Sequence, residues 1–151
     1  VSADMIADTV SDNARYDAFR LVDVALTGDA RGAIRTLRGL KSEAVQPPVL
    51  LWALAREVRL LANLKRDIAG GASINTARNQ RGVWRSRQGL IQSALKRLSG
   101  RDLAKLQALT FQADGSSKGF LTGAPWDLME TLVVVMAQGS GVPASKTERF
   151  K

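Results

Sequence analysis

The residue types best suited to chemistry lie together between Arg78 and Arg87, where the sequence reads Arg-Asn-Gln-Arg-Gly-Val-Trp-Arg-Ser-Arg. Four arginines surround one tryptophan at a break between two predicted helices. Arginine binds phosphate in a bidentate manner, and the flat face of tryptophan can stack on an unpaired base. The cluster therefore predicts a single-stranded nucleic-acid site with the candidates Trp84, Arg85, Arg87, Arg81 and Arg78. The alternative is a core tryptophan beside solvated arginines.

Catalytic chemistry has little support in the sequence. The chain contains no cysteine and no histidine, which excludes a thiolate nucleophile, a histidine base and a Cys/His zinc site. It has neither a Walker A motif nor a G-x-G-x-x-G motif. Glu57 and Glu130 lie within predicted helices without a partner carboxylate, so we interpret them as solvated or salt-bridged charges. We predict a non-catalytic protein with no cofactor and no metal site.

Length and charge limit the possible classes further. A chain of 151 residues can form one domain with a hydrophobic core. The 22 Lys and Arg residues exceed the 14 Asp and Glu residues, giving a net charge of +8. This excess favours an acidic partner such as nucleic acid, although a merely soluble surface is the alternative. The apolar run Leu132–Ala137 is far shorter than the roughly 20 residues of a membrane span, and absent cysteine fits a reducing cytoplasm.

The elements that must position these residues are helices. Apolar residues recur at helical spacing and no segment alternates as a strand would, which predicts an all-α antiparallel bundle of about six or seven helices. A first short helix is expected to break at Asp12 and Asn13. Trp52 and Trp126 are candidates for a subunit interface; the alternative for Trp52, which is off the centre of its apolar stripe, is the rim of the core, and Trp126 is at core spacing. The first short helix is expected to span residues 2–10, and the seven helices of the bundle are expected to span 14–26, 30–40, 49–69, 74–80, 86–98, 101–113 and 125–138.

Several stretches, taken in order, resemble the C-terminal part of the delta subunit of the bacterial DNA polymerase III clamp loader. The resemblance extends from about residue 14 to residue 138, and the order and spacing of the stretches are more specific than any one of them. The matching stretches are Tyr16–Asp29 with Ala33–Leu37, Pro48–Leu61, Asn63–Arg66, Val83–Leu90, Ala94–Ser99, and Ala113–Lys118 followed by Trp126.

The resemblance implies a non-catalytic collar domain that joins neighbouring loader subunits, so that a sliding clamp can be loaded on primed DNA during chromosome replication. Residues 1–13 would end a preceding lid-like module, 14–138 would form the helical collar, and 139–151 would be a flexible tail. The intact subunit would belong to the polymerase holoenzyme, a DNA-directed nucleotidyltransferase complex, in the bacterial cytoplasm.

The implied partners are the collar domains of the ATPase subunits and of delta prime, and DNA as the template single strand near Trp84. The sliding clamp would be contacted only through an N-terminal module outside this chain, and no membrane is involved. A stand-alone basic helical module that binds nucleic acid is the alternative.

Overall fold

The chain folds as a helical bundle. The computed structural model describes the backbone of residues 3–139 and the side chains of residues 13–139. Within that range there are seven α-helices, one short 3-10 helix and no strand, which confirms the predicted all-α class. The helices are α1 (Ala3–Leu26), α2 (Ala30–Ser42), α3 (Pro47–Ala69), α4 (Ile74–Gln80), α5 (Gln88–Arg97), α6 (Gly100–Ser117) and α7 (Pro125–Gln138), with the 3-10 helix at Arg85–Arg87.

Residues typical of helix starts stand where the helices begin. The side chain of Asp29 accepts a hydrogen bond from the backbone N–H of Gly32 at 2.8 Å, which caps α2. Pro47 opens α3, where its missing N–H costs nothing. Ser99 and Asp102 form a capping box at the start of α6, with both reciprocal hydrogen bonds at 3.0 Å. These local signals set the short connections between helices.

The predicted break at Asp12 and Asn13 is wrong, because α1 runs through both residues as one helix of 24 residues. Asp and Asn cost a helix interior at most about 0.7 kcal/mol each relative to alanine. Downstream of the expected break, α1 is fixed by core residues such as Leu21 and Val22, which are fully buried. The proposed module boundary at residue 13 thus falls inside a helix, and it stays a prediction. The expected tail lies, apart from Gly139, outside the described residues.

The core is built around α3, which packs against α1 and α6, while α7 packs against α2 and α6. Leu50, Leu54, Leu61 and Leu64 recur at helical spacing on α3 and are fully buried. All the helices that bear on the candidate site therefore share one hydrophobic core. Among the described helices, none is both long enough and apolar enough to cross a membrane.

Two basic side chains connect helix ends inside the bundle. The ammonium of Lys65 on α3 donates to the carbonyls of Leu95 and Leu98, at 2.7 and 2.8 Å, at the end of α5. The guanidinium of Arg97 donates to the carbonyls of Leu26 and Met136, at 3.0 and 3.2 Å. Carbonyls in the last turn of a helix lack helical partners, so these cations stabilise three helix C-termini at once.

Candidate nucleic-acid interface

Trp84 lies in the turn between α4 and the 3-10 helix, and its side chain is 75% exposed. Gly82, two residues earlier, has a φ of +69°, a left-handed conformation that glycine adopts without strain. Trp84 itself is extended and precedes the first residue of the 3-10 helix. The alternative of a core tryptophan is therefore wrong, and the indole face is open to a ligand.

Arg87, at the end of the same turn, is an internal anchor. Its Nη1 lies 3.1 Å from Oε1 of Glu57 on α3, and its Nη2 lies 2.8 Å from Oδ1 of Asp23 on α1. The Glu57 side chain is only 6% exposed, and its burial raises the pKa of this carboxyl above the usual value although Arg87 opposes the shift. The turn that carries Trp84 is thus tied to two core helices.

Arg81 is also engaged by a carboxylate. Its Nε and Nη2 donate to the two oxygens of Asp67 on α3, at 2.8 and 2.9 Å. This bidentate hydrogen bonding lowers the pKa of Asp67. This ion pair holds the end of α4 against α3. The Arg81 side chain is partly exposed.

The structure corrects the sequence prediction at Arg78. This residue is only 7% exposed, and it donates to Oε1 of Gln92 at 3.0 Å and to Oδ1 of Asn75. Its Nε is buried without a hydrogen-bond partner among the described residues. Its hydrogen-bonding nitrogens are directed at α5 and at α4 itself, and little of its surface is open to a phosphate. Arg78 is therefore a structural residue and not a surface contact.

Arg85 differs from the other three arginines of the cluster, because it has no partner among the described residues. It is exposed, and its side chain makes no hydrogen bond or ion pair with the part of the chain that the structure describes. It directly follows Trp84, and both residues are exposed. The predicted five-residue site thus divides into two exposed residues without such partners among the described residues, Trp84 and Arg85, and three whose side chains are hydrogen-bonded to other parts of the fold.

A groove of about 500 Å³ lies beside Trp84, between α1, α3 and the turn. Two arginines on α3, Arg56 and Arg59, line it, and neither is among the residues predicted from the sequence. Their signal was present, because Trp52, Arg56 and Arg59 follow one another at intervals of four and three residues along one helical face. The spacing on α3 does not predict that Trp84 lies beside these residues, because the turn reaches the groove only in the folded chain.

The two tryptophans predicted for a subunit interface differ in exposure. Trp52 is 47% exposed, with its ring edge-to-face on Phe19 at a centroid distance of 5.5 Å and the guanidinium of Arg15 at 6.0 Å. Trp126 is half-buried against the core, with the ammonium of Lys41 at 5.8 Å from its ring. Both interface assignments remain predictions.

Three further apolar side chains, missed in the sequence, are exposed near the end of α6. Phe111 is 74% exposed on α6, and Phe120 and Leu121 follow in the loop before α7. An aromatic residue within a Gly- and Ser-rich loop was the available signal.

The two carboxylates considered for catalysis are both ion-paired, as interpreted from the sequence. Glu57 is bound by Arg87, and Glu130 accepts hydrogen bonds from Arg38 at 2.8 and 3.2 Å. Within residues 13–139, no group of three or more carboxylates is placed to hold a metal ion.

Comparison with known proteins shows the family to which the chain belongs. Residues 18–141 match the family described as "Processivity clamp loader gamma complex DNA pol III C-term". The DNA polymerase III subunit delta of Escherichia coli K12 is 30% identical over 131 residues, which cover 87% of this chain and 38% of that protein. The subunit delta of Haemophilus influenzae is 29% identical over 109 residues, which cover 67% of this chain and 32% of that protein. The chain spans about a third of the length of these relatives. It belongs to the family of C-terminal domains of the DNA polymerase III clamp-loader delta subunit.

Proposed function

We propose that this chain is the collar domain of a clamp-loader delta subunit. It assembles with the collar domains of the ATPase subunits and of delta prime, so that a sliding clamp can be loaded on primed DNA in the bacterial cytoplasm. Family membership and the helical bundle support this role. The domain acts by binding and not by catalysis. We place contact with the sliding clamp in an N-terminal module outside this chain, as the family resemblance implies.

Trp52 and Trp126 are the proposed anchors of the subunit interface. Tryptophan is enriched among the few residues that dominate binding energy, and Trp52 keeps about half of its surface open. Gel filtration of the chain with its partner subunits tests this assignment. Trp52→Ala should weaken association by roughly 30-fold or more if Trp52 is such an anchor. Arg35→Ala, on the exposed face of α2, is the control. Equal elution of both variants with the partners would contradict the assignment of Trp52.

The same domain contacts the template single strand through Trp84 and Arg85. One observation carries this proposal: Trp84 is 75% exposed on a turn that ion pairs tie to α1 and α3. A rigid aromatic residue loses little conformational entropy when a base stacks on it. The next residue, Arg85, has a guanidinium without a partner among the described residues, which can bind a phosphate oxygen. Sequence-tolerant stacking suits a template whose sequence varies.

Binding of an oligothymidylate to the whole chain, followed by fluorescence anisotropy, tests this contact. Trp84→Ala should raise Kd by roughly 5- to 150-fold, as expected for the loss of one stacked base. The midpoint of thermal unfolding should not change, because the side chain is exposed. An unchanged Kd for Trp84→Ala would exclude the stacking role.

A stand-alone nucleic-acid-binding module is the second candidate, favoured by the net charge of +8. The two functions differ in their dependence on partners. A stand-alone module binds single strands alone as tightly as in an assembly, whereas a collar domain gains affinity when the other subunits hold the strand nearby. Comparing Kd with and without the partner subunits separates them.

A further inference from the structure

The groove beside Trp84 has the size and walls of a ligand site. Its volume of about 500 Å³ falls within the roughly 300–1,000 Å³ typical of small-ligand pockets. Phe19, Leu60, Val83 and the ring of Trp84 supply apolar walls, and α3 supplies the floor. A pocket of this size can take one unpaired nucleotide with its phosphate, but not a duplex.

Some of the charged side chains in the groove are ion-paired and others are not. Four arginines and two carboxylates line it. Both carboxylates share Arg87, and Arg81 is paired with Asp67 outside the groove. The remaining two arginines carry positive charge that no carboxylate of the described chain neutralises by an ion pair.

These two arginines are Arg56 and Arg59. The guanidinium of Arg56 lies over the ring of Phe19, at 5.9 Å from its centroid, and its N–H groups have no hydrogen-bond acceptor among the described residues. Arg59 is exposed and makes no hydrogen bond or ion pair with the described residues. Guanidinium donors form a planar fork that matches the oxygens of a phosphodiester.

We propose that this groove binds one nucleotide unit of a single strand, with its phosphate on Arg59 and Arg56 and its base on Trp84. The inference rests on the proposed stacking role of Trp84 and extends it from the tip of the turn to the surface of α3. The strand then runs from Arg85 across Trp84 to α3. An acidic peptide could also pair with the two arginines, but it would not need the open indole face.

The test compares single-strand binding by Arg56→Ala, Arg59→Ala and Trp84→Ala as a function of salt. Arg35→Ala is the matched control, because Arg35 is exposed on α2 outside the groove and has no partner within residues 13–139. Removal of one arginine–phosphate interaction should reduce the magnitude of the slope of log K against log salt by about 0.7. The two groove variants should show that reduction, and the control should keep the slope of the unmodified chain.

An oligonucleotide with abasic sites distinguishes the contribution of the base to binding from that of the phosphate. Because it keeps its phosphates, it should still bind less tightly to Arg59→Ala, whereas Trp84→Ala should no longer matter. If only Trp84→Ala weakens binding and both groove variants behave like Arg35→Ala, the groove is not part of the site although the stacking role stands. If no variant weakens binding, both proposals fail. If the groove variants no longer bind the partner subunits but keep the oligonucleotide, the groove docks protein and this inference is overturned.

Discussion

Arg87 lies 3.1 Å from the carboxylate of Glu57, although the two residues stand 30 positions apart and on separate elements. A second guanidinium nitrogen reaches Asp23 on α1 at 2.8 Å. Arg87, predicted as a nucleic-acid contact, is therefore ion-paired within the fold. Arg87 ties the turn to α1 and α3, and Trp84 is exposed on that turn.

Arg87→Ala should destabilise the fold, because it leaves the carboxylate of Glu57 buried and unpaired. We expect a loss of about 3 kcal/mol in the free energy of unfolding, at the lower end for broken buried pairs since Arg87 is still partly solvated. Urea denaturation measures it. Arg85→Ala, two residues earlier and without a partner, should change the stability by less than about 0.5 kcal/mol. Equal stability of the two variants would show that the ion pair anchors nothing.

Glu57 and Glu130 should give opposite dependences of stability on pH. Burial raises the pKa of Glu57, so the folded state binds its proton more tightly than the unfolded state, and the contribution of Glu57 to stability is lost as pH rises through the raised pKa. The hydrogen bond from Arg38 lowers the pKa of Glu130, so its contribution is lost as pH falls.

The free energy of unfolding of Glu57→Gln and Glu130→Gln, measured from acidic to neutral pH, tests these signs. Relative to the unmodified chain, Glu57→Gln should gain stability as pH rises, and Glu130→Gln should lose it. Parallel pH profiles for all three proteins would refute the assignment.

Arg97→Ala should loosen the ends of α1 and α7 together. The side chain donates to the carbonyls of Leu26 and Met136, and both would lose a charged donor. We expect a loss of roughly 1–3 kcal/mol in the free energy of unfolding and faster amide hydrogen exchange at both helix ends. The neighbouring exposed Lys96, changed to alanine, serves as the control. Slow exchange that persists at both ends would mean that Arg97 does not stabilise them.

The helices could be predicted from sequence because the spacing of apolar residues records burial directly. Leu50, Leu54 and Leu61 were expected inside and are fully buried. Helix limits were less certain, because α1 continues through Asp12 and α6 continues to Ser117 where neither composition nor spacing requires it. Weak local preferences yield to packing at such positions.

The candidate site could be located in the sequence, but the role of each of its arginines could not be predicted. Residue type shows that Arg78, Arg85 and Arg87 carry charge, but only the tertiary fold shows which of them meet a partner. Glu57 comes from another helix, and nothing in the local spacing connects it with Arg87. Arg59 was missed for the same reason, since its place beside Trp84 exists only after α3 and the turn pack together.

Fluorescence of Trp84 in the variant Trp52→Phe/Trp126→Phe tests the central claim most directly. The chain has three tryptophans, so this variant keeps Trp84 as its sole indole. An unstructured oligothymidylate should quench the emission at low ionic strength, and added salt should reverse the quenching as the strand dissociates. A blunt duplex of equal length should quench far less, because its bases are already paired and stacked. Emission that stays constant while anisotropy shows the single strand bound would contradict the account.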